Sequence, residues 1–310
     1  MHILLCGSFD DDERDAWLAE LQDALPDARW HLTVTPADAE LITAAVVANP
    51  RPGSLRGLPN LRLIQSLWAG VDRLLSDPSL PDVPLARMVD PAMSAAMAET
   101  ALWATLSLHR HFYAYARQQH ARDWQQLPQR RADEIQVTLL GTGQMGSVCA
   151  TRLLALGYRV TGWSLHGGTV EGLSLEHGED ALWPLLARSD IVINLLPLTA
   201  QTSDLLDQRF FAALRPGAGL INLARGGHLV EADLLQALAC GQVGHAVLDV
   251  FRSEPLPSEH PFWSHPQVTV LPHVAAATDM RSAARIAAHN LLALRDGQPL
   301  SDLVERSRGY

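Results

Sequence analysis

Short apolar runs alternate with amphipathic stretches along this chain. His2 to Cys6, Ala44 to Ala48 and Leu61 to Ser66 read as buried strands. Between the first two, Asp15 to Leu25 puts Trp17, Leu18, Leu21 and Leu25 on one face at helical spacing. Pro50, Pro52, Gly53, Gly57 and Pro59 punctuate the loop before the third strand. These residues predict a small α/β unit. From Met93 to about Gln119 the pattern predicts one long helical stretch that is largely apolar, with Ala95, Ala96, Met97, Ala101, Leu102, Leu106 and Leu108. So apolar a helix is expected to be buried between domains or against a partner subunit. Trp103, Phe112, Tyr113 and Tyr115 on it read as packing residues. His109, His111 and His120 lack the i, i+4 pairing of a zinc helix and read as surface or interface residues.

From Ile135 onward the alternation becomes regular. It predicts strands at 137–140, 159–162, 190–195, 219–223, 245–250 and 268–271, with helices at 145–156, 180–187, 207–213, 231–240 and 279–295. Strands separated by helices call for a parallel sheet with right-handed crossovers. The last helix is expected to pack back on the first section, so one domain comprises 1–92 and 278–310 and the other 93–277. The fold class is α/β: a Rossmann doubly wound parallel sheet inserted into a smaller, flavodoxin-like α/β domain.

Composition narrows the function. The chain has 310 residues, 47% hydrophobic and 19% charged, which describes a globular protein large enough for two domains. A formal net charge of −10 argues against nonspecific nucleic-acid binding. No apolar run approaches the roughly 18 residues needed to span a bilayer. The N-terminus lacks a basic leader and reads as a first strand, so a cytoplasmic location is expected. Cys6, Cys149 and Cys240 are widely spaced and read as buried thiols in a reducing compartment. With no H-E-x-x-H and no C-x-x-C, no metal site is expected.

The strand at 137–140 runs directly into Gly141-Thr142-Gly143-Gln144-Met145-Gly146 and then a helix. This is the G-x-G-x-x-G context of a dinucleotide site. The first glycine allows the tight turn, the second admits the pyrophosphate and the third lets helix and strand pack closely. Gly141, Gly143, Gln144, Met145 and Gly146 are therefore candidate cofactor contacts, with the phosphates on free N–H groups at the helix start. Three further residues follow predicted strands: Arg225 after Leu220–Ala224, Glu254 after Ala246–Phe251, and His273 after Val268–Pro272. Taken singly, each has a plainer reading as a surface ion pair or a loop residue. Ligands of open α/β sheets bind beyond the carboxyl ends of the strands, so all three can converge on one crevice.

These segments, with Asn222-Leu223-Ala224-Arg225-Gly226, Leu248-Asp249-Val250-Phe251, Glu254-Pro255-Leu256-Pro257 and Leu271-Pro272-His273-Val274-Ala275, resemble the signature series of the D-isomer-specific 2-hydroxyacid dehydrogenases. Within that family, Leu67–Asp72, Trp124–Pro128 and the ending Arg308-Gly309-Tyr310 are most similar to the bacterial glyoxylate/hydroxypyruvate reductase A branch. The resemblance implies hydride transfer to a small 2-keto acid in a homodimer. In that reading Arg225 grips the substrate carboxylate through its planar guanidinium. His273 protonates the carbonyl oxygen, and Glu254 orients the ring and favours its charged form. Trp68, Ala69, Gly70 and Val71 contact the substrate from the other domain. Leu196, Pro197, Ala224, Asp249 and Ala275 line the cofactor, with Asp249 meeting the nicotinamide carboxamide.

The strand at 159–162 leads to Ser164, where an NAD-preferring fold usually carries an acid. No carboxylate there repels a 2′-phosphate, so NADP is the expected cofactor and NAD the alternative. The basic residues of the branch are replaced by Leu165, His166 and Gly167, which leaves the phosphate clamp thin. Two further alternatives stand: a broader 2-ketoacid reductase, and a noncatalytic NAD(H)-binding regulatory protein on the same fold.

Overall fold

The first apolar run forms β1 (His2–Gly7), and the chain continues through α1 (Asp11–Ala24), β2 (Arg29–His31), α2 (Pro36–Ala39), β3 (Ile42–Ala48), β4 (Leu63–Ser66), α3 (Asp72–Leu75) and β5 (Leu85–Ala86). Then come α4 (Pro91–His109), α5 (Phe112–Ala121), β6 (Gln136–Leu140), α6 (Gln144–Ala155), β7 (Arg159–Ser164), β8 (Ser174–His177), α7 (Glu179–Leu186) and β9 (Ile191–Asn194). The remainder is α8 (Gln208–Ala213), β10 (Ala218–Asn222), α9 (Glu231–Ala239), β11 (Val243–Leu248), β12 (Val268–Val270) and α10 (Met280–Asp296). This computed structural model describes residues 1–310 and divides into two units, Met1–Ala92 with Thr278–Tyr310, and Met93–Ala277.

The first unit is a five-stranded parallel sheet of order β2-β1-β3-β4-β5, the flavodoxin-like order. Asp10 caps α1 by accepting from the N–H of Glu13 at 2.8 Å. That helix buries Trp17 and Leu21, while Leu18 stays half-exposed. The two chain ends meet in this unit because α10 packs on α1 and β4. Buried Asn290 of α10 donates to Gln65 of β4 at 2.8 Å and accepts from the N–H of Ser301, also at 2.8 Å.

The second unit is a seven-stranded parallel sheet of order β12-β11-β10-β9-β6-β7-β8, a doubly wound Rossmann sheet with one added strand. Both faces are covered. On one side Leu182, Leu185, Phe210, Phe211, Leu234 and Leu238, from α7, α8 and α9, pack over Val192, Leu220 and Leu248. On the other, α4 and α6 bring Ala98, Ala101, Ala104, Ala150 and Leu153 against Val137, Leu139, Ile193, Ile221 and Val247. Alternate strand residues thus feed opposite cores, which is why these strands read as unbroken apolar runs.

Several expectations change. The helical stretch from Met93 to Gln119 is two helices, broken where His111 takes a left-handed φ of 61°. A residue in that conformation cannot continue a right-handed helix. His109 is not a surface residue: it is buried, with Nδ1 against the Tyr158 hydroxyl and Nε2 against the Arg130 carbonyl, both at 2.8 Å. The thiols are not uniformly buried. Burial pushes Cys149 up to about 12, but Cys6 is half-buried and Cys240 is exposed at the end of α9. Strands β2, β5 and β8 did not stand out as apolar runs, because they are short and all lie at or next to sheet edges. No helix is long and apolar enough to cross a membrane.

Candidate active site

The glycine turn is shaped by contacts on two sides. Gly141 has φ 92°, and a Cβ there would lie 2.7 Å from the carbonyl oxygen of Leu195. A Cβ on Gly146 would lie 2.1 Å from the carbonyl oxygen of Gly141, so the first turn of α6 sits directly on the end of β6. Gly143 differs, because a Cβ there would meet no protein atom within 4 Å. Its missing side chain is not required by packing. The open space lies at the start of α6, where Gln144 and Met145 begin the helix and its dipole favours an anion. The residues present therefore fit a dinucleotide pyrophosphate.

At the end of β7, Ser164 donates its hydroxyl to the carbonyl oxygen of Gly167 at 3.0 Å, closing the 164–167 turn on itself. His177 pairs with Ser164 across the sheet edge. No carboxylate stands at position 164.

The carboxyl ends of β9, β10, β11 and β12 carry the other candidates side by side. Leu196 and Pro197 follow β9, Ala224 and Arg225 follow β10, Asp249 and Glu254 follow β11, and His273 and Ala275 follow β12. A buried amide pair shapes the first two loops. Asn194 Nδ2 donates to Asn222 Oδ1 at 3.0 Å, and Asn194 Oδ1 accepts from the N–H of Leu196 at 3.2 Å. Asn222 Nδ2 in turn donates to the Arg225 carbonyl at 3.2 Å. His228, fully buried, bridges the carbonyls of Arg225 at 3.1 Å and Pro197 at 3.2 Å. A Cβ on Gly226 would lie 1.9 Å from the carbonyl carbon of Phe251, so the loops after β10 and β11 touch backbone to backbone.

His273 and Glu254 meet. Nδ1 of His273 lies 2.7 Å from Glu254 Oε2, and Glu254 Oε1 accepts from the N–H of Phe251 at 2.8 Å. A ring nitrogen facing a carboxylate is the protonated one, which leaves Nε2 for a ligand. About half of the His273 side chain is exposed. Its backbone has φ 55°, a conformation costing about 1–2 kcal/mol for a residue with a Cβ. The Asp249 carboxylate turns to this loop and accepts from the N–H groups of Val274 and Ala275.

A family model described as the NAD-binding domain of D-isomer-specific 2-hydroxyacid dehydrogenases matches residues 102–275. The chain belongs to the D-isomer-specific 2-hydroxyacid dehydrogenases. Among relatives of this family, the glyoxylate/hydroxypyruvate reductase A of Serratia proteamaculans is 40% identical over 305 residues, covering 96% of each chain. A dehydrogenase of the family from Xanthobacter autotrophicus, solved with NADPH and MES, superposes with TM-score 0.93 at 36% identity, covering 100% of this chain and 99% of the other. The NADPH-dependent glyoxylate/hydroxypyruvate reductase of Sinorhizobium meliloti, solved with NADP and sulfate, gives 0.91 at 35% identity, with the same coverage.

Trp68, Ala69, Gly70 and Val71 belong to the other unit, in the loop between β4 and α3. There Ser66 Oγ donates to the Trp68 carbonyl and accepts from the Trp68 N–H, both at 3.0 Å. The Trp68 ring meets Trp17 edge-on, with centroids 6.0 Å apart. The motif reading missed Asn194 and His228, and it quoted Asn222 and Gly226 without giving either a role. Asn194 and Asn222 had a visible signal, a polar residue closing an apolar strand, but His228 had none.

The two inner glycines make opposite predictions. Gly146→Ala should lower thermal stability by about 1–3 kcal/mol, the scale of overpacking. Gly143→Ala should leave the melting temperature within about a degree, since surface changes cost under ~0.5 kcal/mol. It should still weaken NADPH binding in a fluorescence titration. A Gly143→Ala protein that binds normally would remove this space from the cofactor site.

Proposed function

We propose that this chain reduces glyoxylate or hydroxypyruvate to the 2-hydroxy acid with NADPH, NADH being the alternative donor. The observation that carries the reading is the His273–Glu254 contact at 2.7 Å on the sheet edge that also presents Arg225 and the glycine turn. A noncatalytic dinucleotide-binding protein has no need of a carboxylate-oriented imidazole on the same sheet edge as an arginine.

Gly141, Gly143, Gln144, Met145 and Gly146 would hold the pyrophosphate, Ser164 the adenosine ribose, and Leu196, Pro197, Ala224, Asp249 and Ala275 the rest of the cofactor. When bound, the reduced nicotinamide supplies the hydride. Arg225 holds the substrate carboxylate through two parallel hydrogen bonds and draws charge toward the keto oxygen. The family resemblance adds Trp68, Ala69, Gly70 and Val71 as substrate contacts, with the backbone N–H groups of Gly70 and Val71 for the carboxylate. His273 gives its Nε2 proton to the developing alkoxide while its Nδ1–H stays on Glu254, which fixes the orientation of the ring.

Initial rates for glyoxylate, hydroxypyruvate, pyruvate and phenylpyruvate with both cofactors test the reading. Activity confined to the first two supports it, and a flat profile favours a broader 2-ketoacid reductase. His273→Ala should lower kcat by at least about a hundredfold, the scale of a general acid, with little change in NADPH binding. Arg225→Lys should lose kcat/KM despite the retained charge, because an ammonium cannot grip a carboxylate with two parallel bonds.

For the cofactor, the support is the missing acid at the end of β7 and the NADP-type ligands of the related structures. Ser164→Asp should shift preference toward NADH by placing a negative charge where the 2′-phosphate sits. A wild type that already prefers NADH, with a ratio untouched by Ser164→Asp, refutes the NADP reading.

The proposed assembly is a cytoplasmic homodimer built around α4, α5 and the segment after them. Trp103, Phe112 and Trp124 leave 43%, 54% and 95% of their surface exposed there, a concentration of apolar surface that a partner copy would cover. All three cysteines are free, which suits a reducing compartment. Sedimentation equilibrium should report twice the 33.8 kDa chain mass, and a single monomeric species would exclude this assembly.

A further inference from the structure

The chain contains no lysine, and its 24 permanently cationic side chains are all arginines. None of them lies between Arg159 and Arg188, the stretch that carries the end of β7, the turn after it and β8. Arg159 stands at the opposite end of β7 from Ser164, and Arg188 is ion-paired with Glu176. The side chains of this stretch that can carry positive charge are therefore two histidines, His166 in the turn and His177, the last residue of β8. Both are exposed, and neither is hydrogen-bonded or ion-paired within the chain. The sheet fixes the position of His177. It pairs with Ser164 across β7 and β8. Next to it, the N–H of Gly178 donates to the Ser164 carbonyl at 3.2 Å, and Trp163 Nε1 donates to the Gly178 carbonyl at 2.9 Å. Its ring lies against the 164–167 turn, where a Cβ on Gly167 would lie 3.7 Å from His177 Cγ. The glycine turn reaches the end of β7 as well, since the N–H of Gly141 donates to the Trp163 carbonyl at 2.9 Å.

We propose that His177 on β8, seconded by His166, binds the cofactor's 2′-phosphate, so that the choice of NADPH over NADH is made by imidazole and depends on protons. This rests on the reading of the chain as an NADPH-dependent reductase. A dinucleotide with its pyrophosphate at the start of α6 has its adenosine ribose at the end of β7. A phosphate on that ribose brings a charge of about −1.5 to −2 and three acceptor oxygens. Ser164 alone does not meet it, because its hydroxyl proton is committed to the Gly167 carbonyl. His177 is the ionisable side chain in register with Ser164, and a protonated imidazole donates from both ring nitrogens. An arginine clamp is charged at every pH, whereas an imidazole is charged only on the acid side of its titration. The other charged groups on the elements around His177 are Glu171 in the turn, Glu176 on β8, and Glu179 and Asp180 in the first turn of α7. Glu176 is held by Arg188, and Glu179 lies 4.0 Å from Arg209. All four are carboxylates, a group that stays ionised near neutral pH, so the proton-dependent charge of this corner belongs to the histidines.

The test uses the full-length protein and two adenylates that differ only in the 2′-phosphate, 2′,5′-ADP and 5′-AMP, titrated by calorimetry at about pH 6.5 and about pH 8.5. Wild type should prefer 2′,5′-ADP. H177A should lose about five- to tenfold in affinity for it, the scale of one charge-assisted hydrogen bond at an exposed site, while 5′-AMP affinity changes less than about twofold. Retained 5′-AMP binding also shows that the variant is folded. The H166A/H177A double variant should bind the two adenylates equally. H177R, which is always charged, should bind 2′,5′-ADP at least as tightly as wild type and lose less affinity between the lower and the higher pH. Comparing it with wild type cancels the titration of the phosphate itself. A wild-type preference for 2′,5′-ADP that survives in H177A or in the double variant would overturn the proposal. So would one pH dependence shared by wild type and H177R. If wild type binds both adenylates alike, the NADPH reading itself fails and the proposal falls with it, so the two failures are distinguishable.

Discussion

Every strand of the larger sheet runs the same way, and that constraint governs the rest of the molecule. Parallel strands joined by helices end together on one edge, where their last peptide groups have no further strand to pair with. These groups must find partners in the loops that leave the edge. Asn194 and Asn222 pair with each other and with loop peptide groups, His228 bridges two loop carbonyls, and Asp249 binds three loop N–H groups. The loops that carry Arg225, Glu254 and His273 are thereby tied to the sheet.

The same arrangement explains how a polar site coexists with an apolar scaffold. Helices cover both faces of the sheet, so alternate side chains of each strand are committed to one core or the other. Chemistry can be placed only where strands end. The buried polar groups at that edge are nearly all hydrogen-bonded, as low-dielectric surroundings require. A network of this kind suits a reaction that needs a proton donor and a carboxylate anchor in fixed relation, since catalysis falls steeply when reacting groups are misplaced.

The left-handed backbone of His273 is a local cost carried within this network. It is offset by three backbone hydrogen bonds to Asp249 and by the ring contact to Glu254. The glycine turn shows the complementary solution. There Gly141 and Gly146 remove side chains so that backbone can touch backbone, and Gly143 leaves a space that the protein itself does not fill.

Much of this was legible in the residues alone. Periodicity located the long strands and helices of both units, because a strand buried on two faces is a run of apolar residues and a surface helix is an amphipathic stripe. The glycine turn, Arg225, Glu254 and His273 were visible because their chemistry depends on residue type and on position just past a strand. Tertiary structure alone decided what depends on contacts between distant segments. The edge strands β2, β5 and β8 form because a neighbouring strand offers them hydrogen bonds, not because their own residues demand it. The break at His111 and the burial of His109 against Tyr158 and Arg130 are outcomes of packing. The grip of Asp249 joins residues 249 and 275, and hydrogen-bond partners so far apart leave no periodic trace in the chain.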